Sequence, residues 1–245
     1  MAIGTPVVLS QVTGISTQTY QTSFSTLSAN QLGLLCIVSH NTNSGTPPFP
    51  NLVHTGLTLV SSISSVFVDT GTQRSRVDVW RMMFSVDTAS IITIGLGSAS
   101  CILEAQWIGI SGLSTAGSNG ASALSQPSAF SGTGASSVHS VTIPASFATT
   151  GNGTFAFFGA RSAGTLTPSD NFTLVSRASI AGQSANMLSM WTSVNYSNAT
   201  IGALQNNPFG AFMCELVLDN AAAGTSTTSF LWANAWDVRP FQAVA

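Results

Sequence analysis

The apolar residues of this chain occur in short segments that alternate with runs of small and polar residues. The segments are rich in Val, Ile, Phe, Thr and Trp and are bounded by Gly, Ser, Asn and Pro, a pattern typical of β-strands. It predicts strands near residues 34–40, 57–68, 76–85, 90–96, 101–110, 138–143, 154–160, 172–180, 187–196, 211–218 and 228–238, with weaker signals near 6–10 and 19–27. Strands this numerous and evenly spaced predict an all-β fold, an antiparallel β-sandwich or barrel.

The order of these segments indicates two similar halves. Segments 34–39, 56–61 and 77–81 resemble, in the same order, segments 154–159, 171–176 and 188–192. A fourth match pairs 103–107 with 231–235, which both have small residues at their centre. The repeated order favours duplication of one structural unit, with insertions and deletions between the matches.

Two further segments have weaker patterns. Residues 111–137 are nearly all small, which predicts a loop or linker between a first β half at 31–110 and a second β half at 138–245. Residues 1–30 are rich in Thr, Ser and Gln. We expect them to form either an outer strand of the same subunit or an arm that pairs with a neighbouring subunit.

Composition narrows the class of protein. Only 6% of the 245 residues are charged, and all six cations are arginines, whereas about 25% is usual. This excludes a helical bundle with charged outer faces, disorder driven by net charge and a nucleic-acid surface of clustered Lys and Arg. Because mixed surface charges normally keep monomers apart, we expect much of this surface to contact other subunits.

The sequence predicts neither export nor membrane insertion. The first residues lack the basic and apolar regions of a signal peptide. No apolar run approaches the roughly 18 residues of a membrane span. We therefore expect a protein made in a cytoplasm, with no membrane partner.

The residue types that usually carry chemistry form no recognisable motif. Cys36, Cys101 and Cys214 lie in apolar segments and are predicted to be buried free thiols. The histidines have no close cysteine or carboxylate partner in sequence, and we expect them on surface loops. Glu104 lies in a predicted strand, where we expect it to be paired to an arginine or exposed at an interface. The sequence predicts no catalytic residue, no metal site and no cofactor.

Aromatic residues supply the remaining candidates. The five tryptophans lie in predicted strands, where core packing is the commoner role. Stacking on sugar rings is the alternative, and the candidate ligand-binding residues are Trp80, Trp107 and Trp236. The candidate subunit contacts are Tyr20, Phe24 and Phe130.

The succession of segments 34–39, 56–60 and 76–80, an Ile/Thr strand and 105–112 resembles β-sandwich modules of tailed-phage virion proteins. The second half repeats it from Phe172 and ends on segment 235–240. The resemblance implies a jelly-roll-like fold and a structural or attachment role, and it transfers no catalytic residue.

Two functions follow as expectations. The first is a non-enzymatic virion structural protein, such as a capsid decoration, head-fibre or tail component. It would be made in the host cytoplasm and assemble as a trimer or higher homo-oligomer with other virion proteins, such as the capsid shell. The second is a carbohydrate-binding or adhesin module that recognises a host surface glycan. An enzyme has the least support.

Overall fold

The fold is all-β and antiparallel, which confirms the predicted class. The structure, a computed structural model, describes residues 2–15, 19–41, 49–54, 56–68, 74–97, 101–132, 138–147, 150–161, 165–169, 171–180, 185–202 and 209–219. The predicted strand at 228–238 lies outside these residues.

Sixteen strands are present in the described part of the chain. The first half contains β1 (Val7–Ile15), β2 (Thr19–Leu27), β3 (Leu32–Asn41), β4 (Asn51–Val53), β5 (Thr58–Val68), β6 (Arg74–Met82), β7 (Thr88–Gly95) and β8 (Cys101–Ile110). The second half contains β9 (Leu124–Gly132), β10 (Val138–Thr142), β11 (Gly153–Arg161), β12 (Thr167–Pro168), β13 (Thr173–Ile180), β14 (Ala185–Thr192), β15 (Asn198–Gly202) and β16 (Phe209–Leu216). A 3-10 helix at Ser118–Ala123 precedes β9.

The strands form four sheets in four layers. The first major sheet has the order β1-β8-β3-β6-β5 and the first minor sheet β2-β7-β4; the second major sheet is β13-β14-β11-β16-β9 and the second minor sheet β10-β15-β12. Each major sheet packs on its own minor sheet through an apolar core, and the two major sheets face each other across a third, central core. All residues of β3, β8, β14 and β16 are buried, as expected for strands that are covered on both faces.

The two halves have the same strand order. Adding eight to each strand number of the first half reproduces the sheet orders of the second. Bulges recur as well: β5 is irregular between Leu59 and Ser61 against β6, and β13 between Leu174 and Ser176 against β14. Across the central core β1 packs on β13 and β5 on β9, while β6 packs on β16 and β8 on β14. These contacts interchange when the halves are exchanged, so a pseudo-two-fold axis relates the halves.

The matched segments have the right order but not always the right register. Leu35 and Ile37 face the first minor sheet, and their counterparts facing the second minor sheet are Ala156 and Phe158. The segment match 34–39 with 154–159 is therefore out of register by one residue, which reverses the two faces of a strand. The match of 103–107 with 231–235 involves residues outside the described part of the chain; among the described strands, β16 is the counterpart of β8.

Residues 111–137 are not simply a loop or linker, which corrects that prediction. They contain the 3-10 helix and β9, an edge strand that pairs with the buried strand β16. The Ser- and Ala-rich sequence of β9 has only a weak strand pattern of its own. It forms a strand because it pairs with the apolar strand β16. Backbone hydrogen bonds from Ser114 N to Val217 O and from Val217 N to Ala123 O tie the segment to the end of β16.

The N-terminal segment forms outer strands of this chain. β1 pairs with β8 at one edge of the first major sheet, and β2 pairs with β7 at one edge of the first minor sheet. The alternative of an arm reaching a neighbouring subunit is therefore wrong for these two strands.

Candidate functional site

A polar and aromatic cluster lies on β6, near the open end of the first major sheet. Alternation along the strand places Arg76, Asp78 and Trp80 on one face, the face that looks toward the first minor sheet. The first minor sheet has three strands, whereas the first major sheet has five. The minor sheet therefore covers less completely the end of the major sheet that β6 and β5 form. Phe49, which precedes β4, lies over this end. We call these four residues the β6 cluster.

An internal ion pair organises the β6 cluster. Arg76 donates from Nε to both carboxylate oxygens of Asp78, at 3.1 and 3.0 Å, and from Nη2 to Ser62 Oγ at 2.7 Å. Asp78 is fully buried. Burial raises its pKa, against the lowering effect of the hydrogen bond from Ser62 and of the Arg76 charge. The carboxylate and guanidinium thus satisfy each other.

Two aromatic rings border this ion pair. The Arg76 guanidinium lies 4.6 Å from the centre of the Phe49 ring, a cation–π contact. The Phe49 and Trp80 rings are 5.6 Å apart with planes inclined by 53°. Phe49 is 44% exposed and Trp80 half-buried, and Trp80 Nε1 donates no hydrogen bond. The exposed Phe49 ring is suited to stacking on a sugar face, whereas Trp80 Nε1 is buried and out of reach of a ligand.

The other candidate ligand-binding tryptophans do not join this cluster. Trp107 is completely buried in the core between the first major and minor sheets, so its selection as a ligand platform is wrong. Trp236 lies outside the described residues.

The candidate subunit contacts have three different outcomes. Tyr20 is buried in its own half, where its hydroxyl donates to Cys101 O at 3.4 Å, so it is not a free surface contact. The side chain of Phe24 lies outside what the structure describes. Phe130 is 52% exposed on the edge strand β9, with its ring centre 5.8 Å from that of Phe209.

The cysteines and histidines are mostly interior residues. The three cysteines are buried thiols outside any disulfide, as predicted, and burial raises the pKa of Cys36 and Cys214. His40 and His139 are also buried, so the prediction of surface histidines is wrong for both. His40 Nδ1 lies 2.5 Å from Ser75 Oγ. His139 stacks on Phe209 with ring centres 4.1 Å apart, and burial lowers its pKa.

Glu104 has neither of the expected environments. It is completely buried on the face of β8 that looks toward the second half, and neither carboxylate oxygen accepts a hydrogen bond. Burial alone raises its pKa to about 8. The position inside the central core keeps any substrate out of reach.

The described ranges contain neither of two simple features, a cluster of metal-ligating side chains and a membrane-spanning helix. No group of three or more His, Cys, Asp or Glu side chains there could hold a metal ion. No described helix has the length and apolar character needed to cross a membrane.

Comparison with known proteins gives no relative. No protein-family model, no curated protein and no solved structure matches the chain.

Proposed function

We propose that the protein is a non-enzymatic structural component of a tailed-phage virion that acts through assembly with copies of itself. A capsid decoration, head-fibre or tail role, in contact with other virion proteins such as the capsid shell, is the specific form of this proposal. Each half supports a jelly-roll-like interpretation, because the strand pairs first-with-eighth, second-with-seventh and third-with-sixth nest within one another. The fifth strand departs from a regular two-Greek-key arrangement by pairing with the sixth.

The outer face of the first minor sheet carries the assembly proposal. Ile92 and Ile94 of β7 point into the core, and the alternate residue Ile91 is 65% exposed on the outer face. Val53 of β4, equally exposed, lies opposite Thr93, so the two apolar side chains are diagonal neighbours. The outer face of the second minor sheet presents Asn198 and Thr200 instead. The second minor sheet thus lacks the exposed apolar pair that Ile91 and Val53 form on the first.

A second copy of this chain is the partner that fits this face. The patch around Ile91 and Val53 holds no charged side chain among the described residues of β4 and β7. A charged partner would thus find no complementary group on these strands. An isologous contact would bury each patch against itself, as in two-fold oligomers, and larger assemblies add further contacts.

Light scattering coupled to size-exclusion chromatography tests the assembly proposal. Wild-type protein should elute as a homo-oligomer, and the double substitution Val53→Thr with Ile91→Thr should shift it toward monomer at the same concentration. Val194→Thr is the matched control, because Val194 is 51% exposed in the other half. A stable wild-type monomer at high concentration, or equal dissociation by the control, would overturn the proposal. Imaging of the native particle tests the virion location.

The β6 cluster favours a second candidate function, binding of a host surface glycan. It rests on the exposed Phe49 ring, which lies against the Arg76 guanidinium of the Arg76–Asp78 ion pair. A glycan array should show binding that Phe49→Ala abolishes. Phe130→Ala, which removes a somewhat more exposed ring on β9, should leave that binding intact. Absence of binding by the wild type, or equal loss in both variants, would remove this candidate.

A further inference from the structure

A cleft in the second half occupies the position that corresponds to the β6 cluster. The shared bulge fixes the correspondence between the halves. Just beyond it, Ser62 of β5 lies opposite Asp78 of β6, whereas Arg177 of β13 lies opposite Leu188 of β14. Two residues farther along β14, Asn186 takes the place of Arg76.

Arg177 lacks the acidic partner that Arg76 has in the first half. In the first half the arginine is on the sixth strand and has the buried Asp78 as its counter-ion. In the second half the arginine is Arg177 on β13. The position that corresponds to Asp78 is occupied by Leu188, which is completely buried. Arg177 is exposed and makes no ion pair or hydrogen bond within the described structure. Its positive charge is therefore available to a ligand.

The surroundings of Arg177 form a small polar cleft. The cleft has a volume of about 260 Å³, and its lining includes Thr165, Leu166, Arg177, Ser179 and Asn186. Two hydroxyls and one amide thus accompany a single cation. The volume is close to the lower end of ordinary ligand pockets, which suits one sugar ring.

We propose that this cleft binds an acidic sugar, with Arg177 pairing with the carboxylate of a uronic-acid-type residue. A guanidinium forms bidentate hydrogen bonds with a carboxylate, and the exposed hydroxyls of Thr165 and Ser179 supply partners for the sugar hydroxyls. One cation matches one negative charge, whereas phosphate sites commonly gather several donors. The proposal does not depend on homo-oligomerisation or on glycan binding at the β6 cluster.

Saturation-transfer NMR of the full chain with glucuronate as the probe tests this proposal. Glucuronate should bind, while glucose, which lacks the carboxylate, and acetate, which lacks the ring, should bind at least tenfold more weakly. Arg177→Gln should abolish binding, and since Arg177 is exposed the variant should stay folded. Thr173→Ala is the control, because Thr173 is exposed on the same strand outside the lining of the cleft, and it should leave binding unchanged.

Three outcomes would overturn the proposal. They are no glucuronate binding by the wild type, inorganic phosphate displacing glucuronate as the preferred ligand, and unchanged binding in Arg177→Gln. Leu188→Asp gives a further check, because it restores the acid of the first half. If that variant folds, the new carboxylate should pair with Arg177 and compete with the ligand. The oligomeric state measured by light scattering is a separate readout, so failure of one proposal does not imply failure of the other.

Discussion

The hydroxyl of Ser189 in the second half donates a hydrogen bond of 2.5 Å to Oε1 of Gln106 in the first. Both side chains are completely buried between the two major sheets, and Gln106 Nε2 donates to Ser176 Oγ at 3.1 Å. The pseudo-two-fold axis maps Gln106 onto Phe212 and Ser189 onto Val79, which are both in the central core. The pair formed by Gln106 and Ser189 is therefore polar, whereas the corresponding pair, Phe212 and Val79, is apolar.

Ser189→Ala should lower the free energy of unfolding by about 1–3 kcal/mol, because Oε1 of the buried Gln106 loses its donor. Adding Gln106→Met, which makes the pair apolar like its counterpart, should recover part of that loss. Urea denaturation of the two single variants and the double variant measures the coupling energy. Strictly additive losses would show that the two side chains do not act together.

Gly159 of the second half packs closely against Val38 of the first. A Cβ atom on Gly159 would lie 2.5 Å from Val38 Cγ2 and 3.2 Å from Val77 Cγ2. Gly159→Ala should destabilise the protein by about 1–3 kcal/mol through overpacking. Val38→Ala should be less harmful in the Gly159→Ala background than in the wild type, because it removes the clashing methyl groups. A thermal-unfolding series tests this, and equal cost in both backgrounds would contradict the packing argument.

Asn119 fastens the connecting segment onto the first half. Its Nδ2 donates to Gly56 O and, at 2.8 Å, to Thr58 Oγ1, and its Oδ1 accepts from Met83 N at 3.0 Å. Its φ of 56° lies in the left-handed region, which asparagine tolerates better than alanine does. Asn119→Ala should therefore cost about 2–4 kcal/mol, and Asn119→Gly about 1 kcal/mol less, since glycine relieves the backbone strain. Equal Cm values for the two variants in urea would show that strain contributes nothing.

The sequence predicted most long strands because their apolar residues identify them without any tertiary information. It missed β4 and β12, which have three and two residues, and β15. It also missed β9, whose Ser- and Ala-rich segment depends on its pairing with β16. The register between the two halves was harder to predict than the strands. Aligning Trp80 with Trp191 matches two side chains that face opposite sides of their sheets. Only the bulges and pairing partners correct that slip.

The candidate sites were less predictable than the strands. The spacing of Arg76, Asp78 and Trp80 already places them on one face of a strand, so this part of the β6 cluster had a sequence signal. Ser62 and Phe49 reach the cluster from distant segments and had none. The role proposed for Arg177 depends on Leu188 replacing an acid, which becomes visible only when the two halves are compared strand by strand.

Glu104 should make the stability of the protein fall as pH rises. Its pKa is raised from 4.5 to about 8 in the folded protein, so between these values the folded state holds a proton that the unfolded state has released. The free energy of unfolding should decrease across this window, by at most about 5 kcal/mol, and level off above pH 8. His40 and Cys36 of the neighbouring strand β3 are on this face of the sheet as well, and Cys214 lies across the central core; burial raises the pKa of both thiols. A Glu104→Gln variant retains His40 and should lose most of the decrease, which urea denaturation from pH 5 to pH 9 would measure. If the wild type and Glu104→Gln have parallel profiles, Glu104 does not carry the pH dependence.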